Sequence, residues 1–245
     1  MNGPARASRA TVLLFTGVAG NVDAITYLTA HVFTANMTGN AVLLGIAAGQ
    51  GNGKAAASSL IALAAFVAGV VLGAGIVGEG DVASASIDVR RAVWCETAIL
   101  AFFAAACLVP LPLPARATVL MLIVSSGLAM GLQSAAVRRL KLPGIATTYI
   151  TGTITSLFSG LVHHWRPARN DDAADLQSSA ADFANPVNPK QSLALQAEVF
   201  LSYTLSAVAC AALHHYWPSG VALVPLIAII AVDVSMARRS AGRNQ

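Results

Sequence analysis

Asp23 has the strongest claim to chemistry in this sequence. It closes the polar part of the string Gly17-Val18-Ala19-Gly20-Asn21-Val22-Asp23-Ala24, inside an apolar run from Thr11 to Ala30. An ionisable group amid such a run costs several kcal/mol even on lenient insertion scales, and groups of this kind usually bind, relay protons or pair. Gly17, Gly20 and Asn21 beside it predict a break in the helix that would offer backbone carbonyls. Two roles stay open for Asp23. It is either a coupling group for protons or a cation, or a cap that hydrogen-bonds Asn36, Thr38 or Asn40 of the next segment.

Further candidates sit at two predicted helix starts. Asn36 and Thr38-Gly39-Asn40 open one short apolar segment, and Thr151-Gly152-Thr153 lies near the start of another. Hydroxyls, amides and free N–H groups at a helix N-terminus attract anionic or dipolar groups, although ordinary N-capping explains the same residues without a ligand. Gln133 and Gln196 are amides on apolar spans, suited to lining a polar cavity or to bonding between helices. Asp23, Asn21, Asn36, Thr38, Gly39, Asn40, Gln133, Thr151, Gly152 and Thr153 thus form the expected solute- or ion-binding set.

Other ionisable residues have blander readings. Glu96 and Glu198 lie near the beginnings of apolar segments and Asp233 near the end of one, so all three are expected at the membrane interface. His163-His164 and His214-His215 are adjacent pairs, which point about 100° apart on a helix and make poor metal ligands. They sit beside Trp165, Tyr216 and Trp217, as interface residues do. Cys95, Cys107 and Cys210 fall in apolar segments without metal or disulfide spacing. Gly73-Ala74-Gly75-Ile76-Val77-Gly78 resembles a dinucleotide fingerprint by letter but closes an apolar helix, and Gly49–Lys54 lacks the residues a phosphate loop needs. Neither metal, cofactor nor catalytic triad is expected, and the chain is read as non-enzymatic.

These residues must be positioned by membrane helices. The composition is 56% hydrophobic and 11% charged, against roughly 25% charged in a soluble domain. The net charge of +4 comes from Lys and Arg in short clusters between apolar runs, which marks topology rather than a nucleic-acid surface. Eight apolar segments can be drawn: Thr11–Ala30, Met37–Gly49, Ala55–Val77, Ala92–Leu111, Ala117–Val137, Gly144–Trp165, Leu193–Leu213 and Gly220–Met236. The expected fold is an all-α polytopic membrane protein of six to eight membrane helices, forming one membrane domain across residues 1–245. The second and sixth segments are short or re-entrant. Residues 166–191, polar and rich in Asp, Ser and Asn, are expected as a disordered cytoplasmic loop.

The chain also repeats itself weakly. Thr34–Asn40 aligns with Thr147–Thr153, and Gly17–Ala24 with the glycine-and-polar string Gly127–Ala135. Two duplicated halves follow, about 11–111 and 117–236. If all eight segments cross, Arg90, Arg91, Arg138, Arg139 and Lys141 lie outside; if the second and sixth are re-entrant, only Lys54 and Arg116 of the 15 basic residues do. Both topologies put the termini in the cytoplasm.

Gly20-Asn21-Val22-Asp23-Ala24, Phe33, Asn36-Met37-Thr38-Gly39-Asn40 and Leu43-Leu44-Gly45 resemble the signature of the YoaK-like family of bacterial multi-pass membrane proteins of unknown function. The resemblance implies a multi-pass fold in the bacterial inner membrane and supplies no substrate. Duplication, broken spans and a midplane acid together suggest a secondary transporter or permease for a small solute, with Asp23 the expected coupling group if protons or a cation drive it. A non-transporting assembly partner would share the same lipid-facing surfaces without a cavity, and a membrane enzyme is the third alternative. No oligomeric state is implied.

Overall fold

The computed structural model describes residues 9–78, 85–109, 112–139, 158 and 189–241, with backbone alone at 85–86, 189–193 and 239–241. The sixth segment, with Thr151, Gly152, Thr153 and the His163-His164 pair, and almost all of the 166–191 loop lie outside the described residues. Within them the chain forms α1 (Arg9–Ala30), α2 (Met37–Gly49), α3 (Gly53–Val77), α4 (Ala85–Leu108), α5 (Ala115–Arg139), α6 (Pro189–Tyr216) and α7 (Leu223–Ala241), the last preceded by a short 3₁₀ turn at Gly220–Ala222. No strand occurs among the described residues. Six of these helices are long and apolar enough to cross a bilayer, and α2 is not. Exposed Leu60, Val67 and Val71 on α3, Leu201, Leu205 and Val208 on α6, and Ile227 and Ile230 on α7 form the surface that meets lipid acyl chains.

Two buried apolar layers give the direction of the helices. One layer contains Phe15 of α1, Val77 of α3, Val89 of α4, Val137 of α5 and Val232 of α7. The other contains Ile25, Phe103, Leu122, Cys210 and Val221. Phe15 to Ile25, Val89 to Phe103 and Tyr203 to Cys210 therefore run one way, and Leu122 to Val137 and Val221 to Val232 run the other. Helix α3 joins the second group, because Gly69 meets Leu128 and Gly73 meets Leu132 in parallel register with α5.

This polarity decides the role of α2. Helices α1 and α3 run in opposite directions, so the 13-residue α2 between them makes no net crossing. At 1.5 Å per residue it rises about 20 Å, short of the ~30 Å hydrocarbon core. It is re-entrant. The first residue of α1 and the last of α7 consequently share one face with the end of α5 and the start of α6, whereas Lys54 and Arg116 lie at the other.

The glycines of α1 and α5 do not break their helices. Both run without interruption, contrary to the break expected at Gly17–Ala24 and at Gly127–Ala135. Close approach is the physical reason. A Cβ on Gly20 would strike the Tyr203 carbonyl of α6, one on Gly131 would strike the Phe66 carbonyl of α3, and one on Gly127 would stand 2.9 Å from Ala65 Cβ. Gly69 and Gly73 complete the α3–α5 seam, whereas Gly45 and Gly49 on α2 face open space. Helices α1 and α5 are the central pair, the most buried of the six long helices, and α6 is the most exposed.

Helix α4 begins seven residues before the apolar segment drawn from sequence. Its first turns carry Asp88, Arg90 and Arg91, which the apolar criterion excluded. The helix tolerates them because Arg91 pairs with Asp88 at 3.4 Å, Arg90 pairs with Asp233 of α7 at 3.1 Å, and Trp94 Nε1 donates to Asp233 at 2.8 Å. The consequence falls on Glu96. It stands near the middle of α4 and is 0% exposed, not at the interface where it was expected.

Candidate functional site

The site is built around the turn that joins α1 to α2. Helix α1 ends at His31, whose φ of 55° is the left-handed cap conformation and whose N–H donates to the Tyr27 carbonyl at 2.9 Å. The chain then folds back along α1 until Thr34, Ala35 and Asn36 reach Asp23. Their three successive backbone N–H groups donate to its carboxylate, at 2.7 and 2.7 Å on Oδ1 and 3.0 Å on Oδ2. Tyr203 of α6 donates its hydroxyl to Oδ2 at 2.6 Å. Asp23 is 2% exposed and has four donors from two sides.

Asp23 lies fourteen residues along α1, about 21 Å from its start by helical rise. The turn therefore enters the membrane to roughly one-third of its thickness. An isolated carboxylate there would be expensive, and so would three bare backbone N–H groups in hydrocarbon. Each satisfies the other. The charge-assisted bonds are short, as N–H donors to a carboxylate should be.

The remaining residues of the turn fix its shape. Asn36 caps α2, its Oδ1 accepting from Gly39 N–H at 3.3 Å. Asn40 is fully buried and brackets Phe33, accepting from its N–H at 2.9 Å and donating Nδ2 to its carbonyl. The Phe33 ring stacks on Tyr27 with centroids 4.9 Å apart. Gly39 must be glycine because a Cβ would stand 2.8 Å from Phe33 Cδ2. Thr26 and Thr34, with hydroxyls 3.5 Å apart, close the turn from the α1 side. Thr38 is exposed on the first turn of α2.

The expected set is thus brought together in part. Asp23, Asn36, Gly39 and Asn40 belong to one hydrogen-bonded unit. Asn36 meets Asp23 through its backbone and not its side chain, and Asn40 serves Phe33. Asn21 is buried two positions before Asp23, and its Oδ1 accepts no hydrogen bond. Gln133 is on α5 and donates Nε2 to the Phe15 carbonyl of α1 at 3.0 Å, with its Oε1 unpaired. Gln196 is buried on α6. Glu198 pairs with Arg9 and Asp233 with Arg90. Residue types alone did not single out Tyr203, although Ser202 and Ser206 beside it make α6 polar on this face. Ser202 Oγ donates to the Leu13 carbonyl at 2.9 Å.

Chemically, the unit can hold a carboxylate and a short helix N-terminus at fixed depth, and it offers a phenol–carboxylate contact between α1 and α6 that a proton or a helix movement can break. Comparison with known proteins agrees with the membrane reading. The family described as "Protein of unknown function (DUF1275)" matches residues 11–237. The UPF0700 transmembrane protein YoaK of Bacillus subtilis (strain 168) is 39% identical over 159 residues, covering 64% of this chain and 69% of that protein. No solved structure matches.

Proposed function

Since this chain belongs to the DUF1275 family of unknown function, we propose that it is a secondary transporter or permease for a small solute, a non-catalytic carrier of the bacterial inner membrane. The observation that carries the proposal is the re-entrant turn at Thr34–Asn36, held inside the membrane by Asp23 and Tyr203. Non-helical backbone at membrane depth is tolerated where it is buried in protein or lines a water-filled path. Transporters use such half-spanning helices to aim an N-terminus at the solute.

The packing supports a duplicated, inverted plan. Helix α3 lies parallel to α5 through glycine contacts, and α6 lies parallel to α1 in the same manner. Under the correspondence α1 with α5, α3 with α6 and α4 with α7, each pair is antiparallel, and the α3–α5 and α4–α5 contacts answer to α1–α6 and α1–α7. Two halves related in this way give a carrier two equivalent conformations, open to opposite sides. The basic residues support the orientation: the face holding the start of α1 and the end of α7 carries Arg9, Arg90, Arg91, Arg138, Arg139 and Arg238, and we place that face in the cytoplasm.

In this mechanism Asp23 and Tyr203 form a latch between α1 and α6. The solute path runs beside the first turn of α2, where Thr38 is exposed. The test combines uptake with accessibility. A strain lacking the protein is compared with its parent across a panel of small solutes, and a Thr38→Cys protein is treated with a hydrophilic maleimide. We expect at least one solute whose uptake falls severalfold and is restored by the wild-type gene, and which slows labelling of Thr38→Cys. Unchanged uptake of every solute, with Thr38→Cys inert to the reagent, would remove the transport reading.

A further inference from the structure

Four buried oxygens in the helix core accept no hydrogen bond: Asn21 Oδ1, both carboxylate oxygens of Glu96, and Gln133 Oε1. They belong to α1, α4 and α5, and each has sequence neighbours in one apolar cluster. Asn21 is flanked by Val18 and Val22, Glu96 by Val93 and Leu100, and Gln133 by Met130 and Ala136. The Gln133 amide is oriented by its bond to the Phe15 carbonyl, which directs Oε1 away from that partner.

The imbalance has one sign. All four are acceptors, so another acceptor or an anion would aggravate it. Asp23 is already engaged by four donors, and Arg90 by Asp233. Burying a lone carboxylate costs several kcal/mol unless a proton or a cation neutralises it. One carboxylate neutralises one unit of charge, and a divalent ion would leave an excess positive charge in the membrane core. Carboxylate and amide oxygens are hard ligands, suited to ions that prefer oxygen.

We propose that Glu96, with Asn21 and Gln133, binds one dehydrated monovalent alkali cation inside the helix bundle. The site is separate from the Asp23 turn and does not depend on the transport reading, because an ion can be bound by a protein that moves no solute. If the protein is a carrier, this is where its coupling ion resides.

The test uses the purified full-length protein in detergent. Its melting temperature is followed through tryptophan fluorescence while choline chloride is replaced by sodium, lithium or potassium chloride at constant ionic strength. A ligand bound only by the folded state stabilises it in proportion to the logarithm of its concentration. We expect a saturable rise of about 5 °C with at least one of the three cations. Glu96→Gln, which keeps the size and supplies its own N–H donors, should abolish that rise, and Asn21→Leu should weaken the apparent affinity about tenfold. Equilibrium dialysis of the wild type with the responding cation, traced by radiolabel, should give one ion per chain, and it decides the matter if Glu96→Gln fails to fold. A wild type indifferent to all three cations overturns the proposal. So does a Glu96→Gln protein that keeps the full response.

Discussion

Asp23→Leu is expected to lower sharply the amount of protein that accumulates in the membrane and the stability of what remains. The substitution removes both acceptor oxygens from a buried site, leaving three backbone N–H groups and the Tyr203 hydroxyl without partners. Each orphaned buried group costs about 1–3 kcal/mol, so the backbone donors alone sum to roughly 3–9 kcal/mol, comparable to the ~5–15 kcal/mol that holds a typical protein folded. Asp23→Asn should be intermediate. Its single carbonyl can serve Thr34 and Ala35, and its amide nitrogen can donate to Tyr203, but it faces the Asn36 N–H donor against donor. One orphaned N–H costs about 1–3 kcal/mol. Tyr203→Phe removes one donor and no acceptor, and should cost about 1–2 kcal/mol. Melting temperatures of the three variants in detergent should therefore fall in the order Tyr203→Phe, Asp23→Asn, Asp23→Leu. Equal stability of the Asn and Leu variants would show that the backbone donors do not depend on the carboxylate.

Gly131→Ala is expected to have the second largest effect. A Cβ at this position would run into the Phe66 carbonyl and stand 2.8 Å from Val70 N and 3.0 Å from Gly69 C. These are backbone atoms, which cannot rotate away as a side-chain tip would, so α3 and α5 must move apart along their shared seam. Overpacking of this kind costs roughly 1–3 kcal/mol or more. Gly45→Ala on α2 is the matched control, since nothing lies within 4 Å of its Cβ position. Alanine there should be neutral or slightly stabilising, because it lowers the entropy of the unfolded chain. Thermal melts of the two proteins should differ by several degrees.

Helix positions were legible because apolar runs record membrane thickness directly: Met37–Gly49 was drawn to the residue, and the shortness of that run already suggested a re-entrant element. The start of α4 was not legible, since charged residues that pair across helices look like a loop until their partners are known. That error moved Glu96 from the core to the interface. The glycines of α1 and α5 illustrate a second limit. A missing Cβ serves a bend and a close approach equally well, and composition along one helix cannot show which neighbour lies against it. Asp23 was legible as an unusual residue, but its main partners are backbone N–H groups, which carry no residue type. Tyr203 is 180 positions away. The family signature is now legible as the parts list of one turn: Asp23 anchors it, Asn36 caps it, Gly39 admits Phe33, and Asn40 holds Phe33 in place.

The account stands on α2 entering and leaving the membrane by one face, and two single-cysteine proteins test this directly. With Cys95, Cys107 and Cys210 replaced by serine, Ala10→Cys reports the start of α1 and Gln50→Cys reports the end of α2. A membrane-impermeant maleimide applied to intact cells, and then to permeabilised cells, shows which side each occupies. The structure predicts opposite sides; with the cytoplasmic orientation proposed above, Gln50→Cys is labelled in intact cells and Ala10→Cys only after permeabilisation. Labelling of both positions from the same side would mean that α2 crosses the membrane, and would contradict the fold on which the site is built.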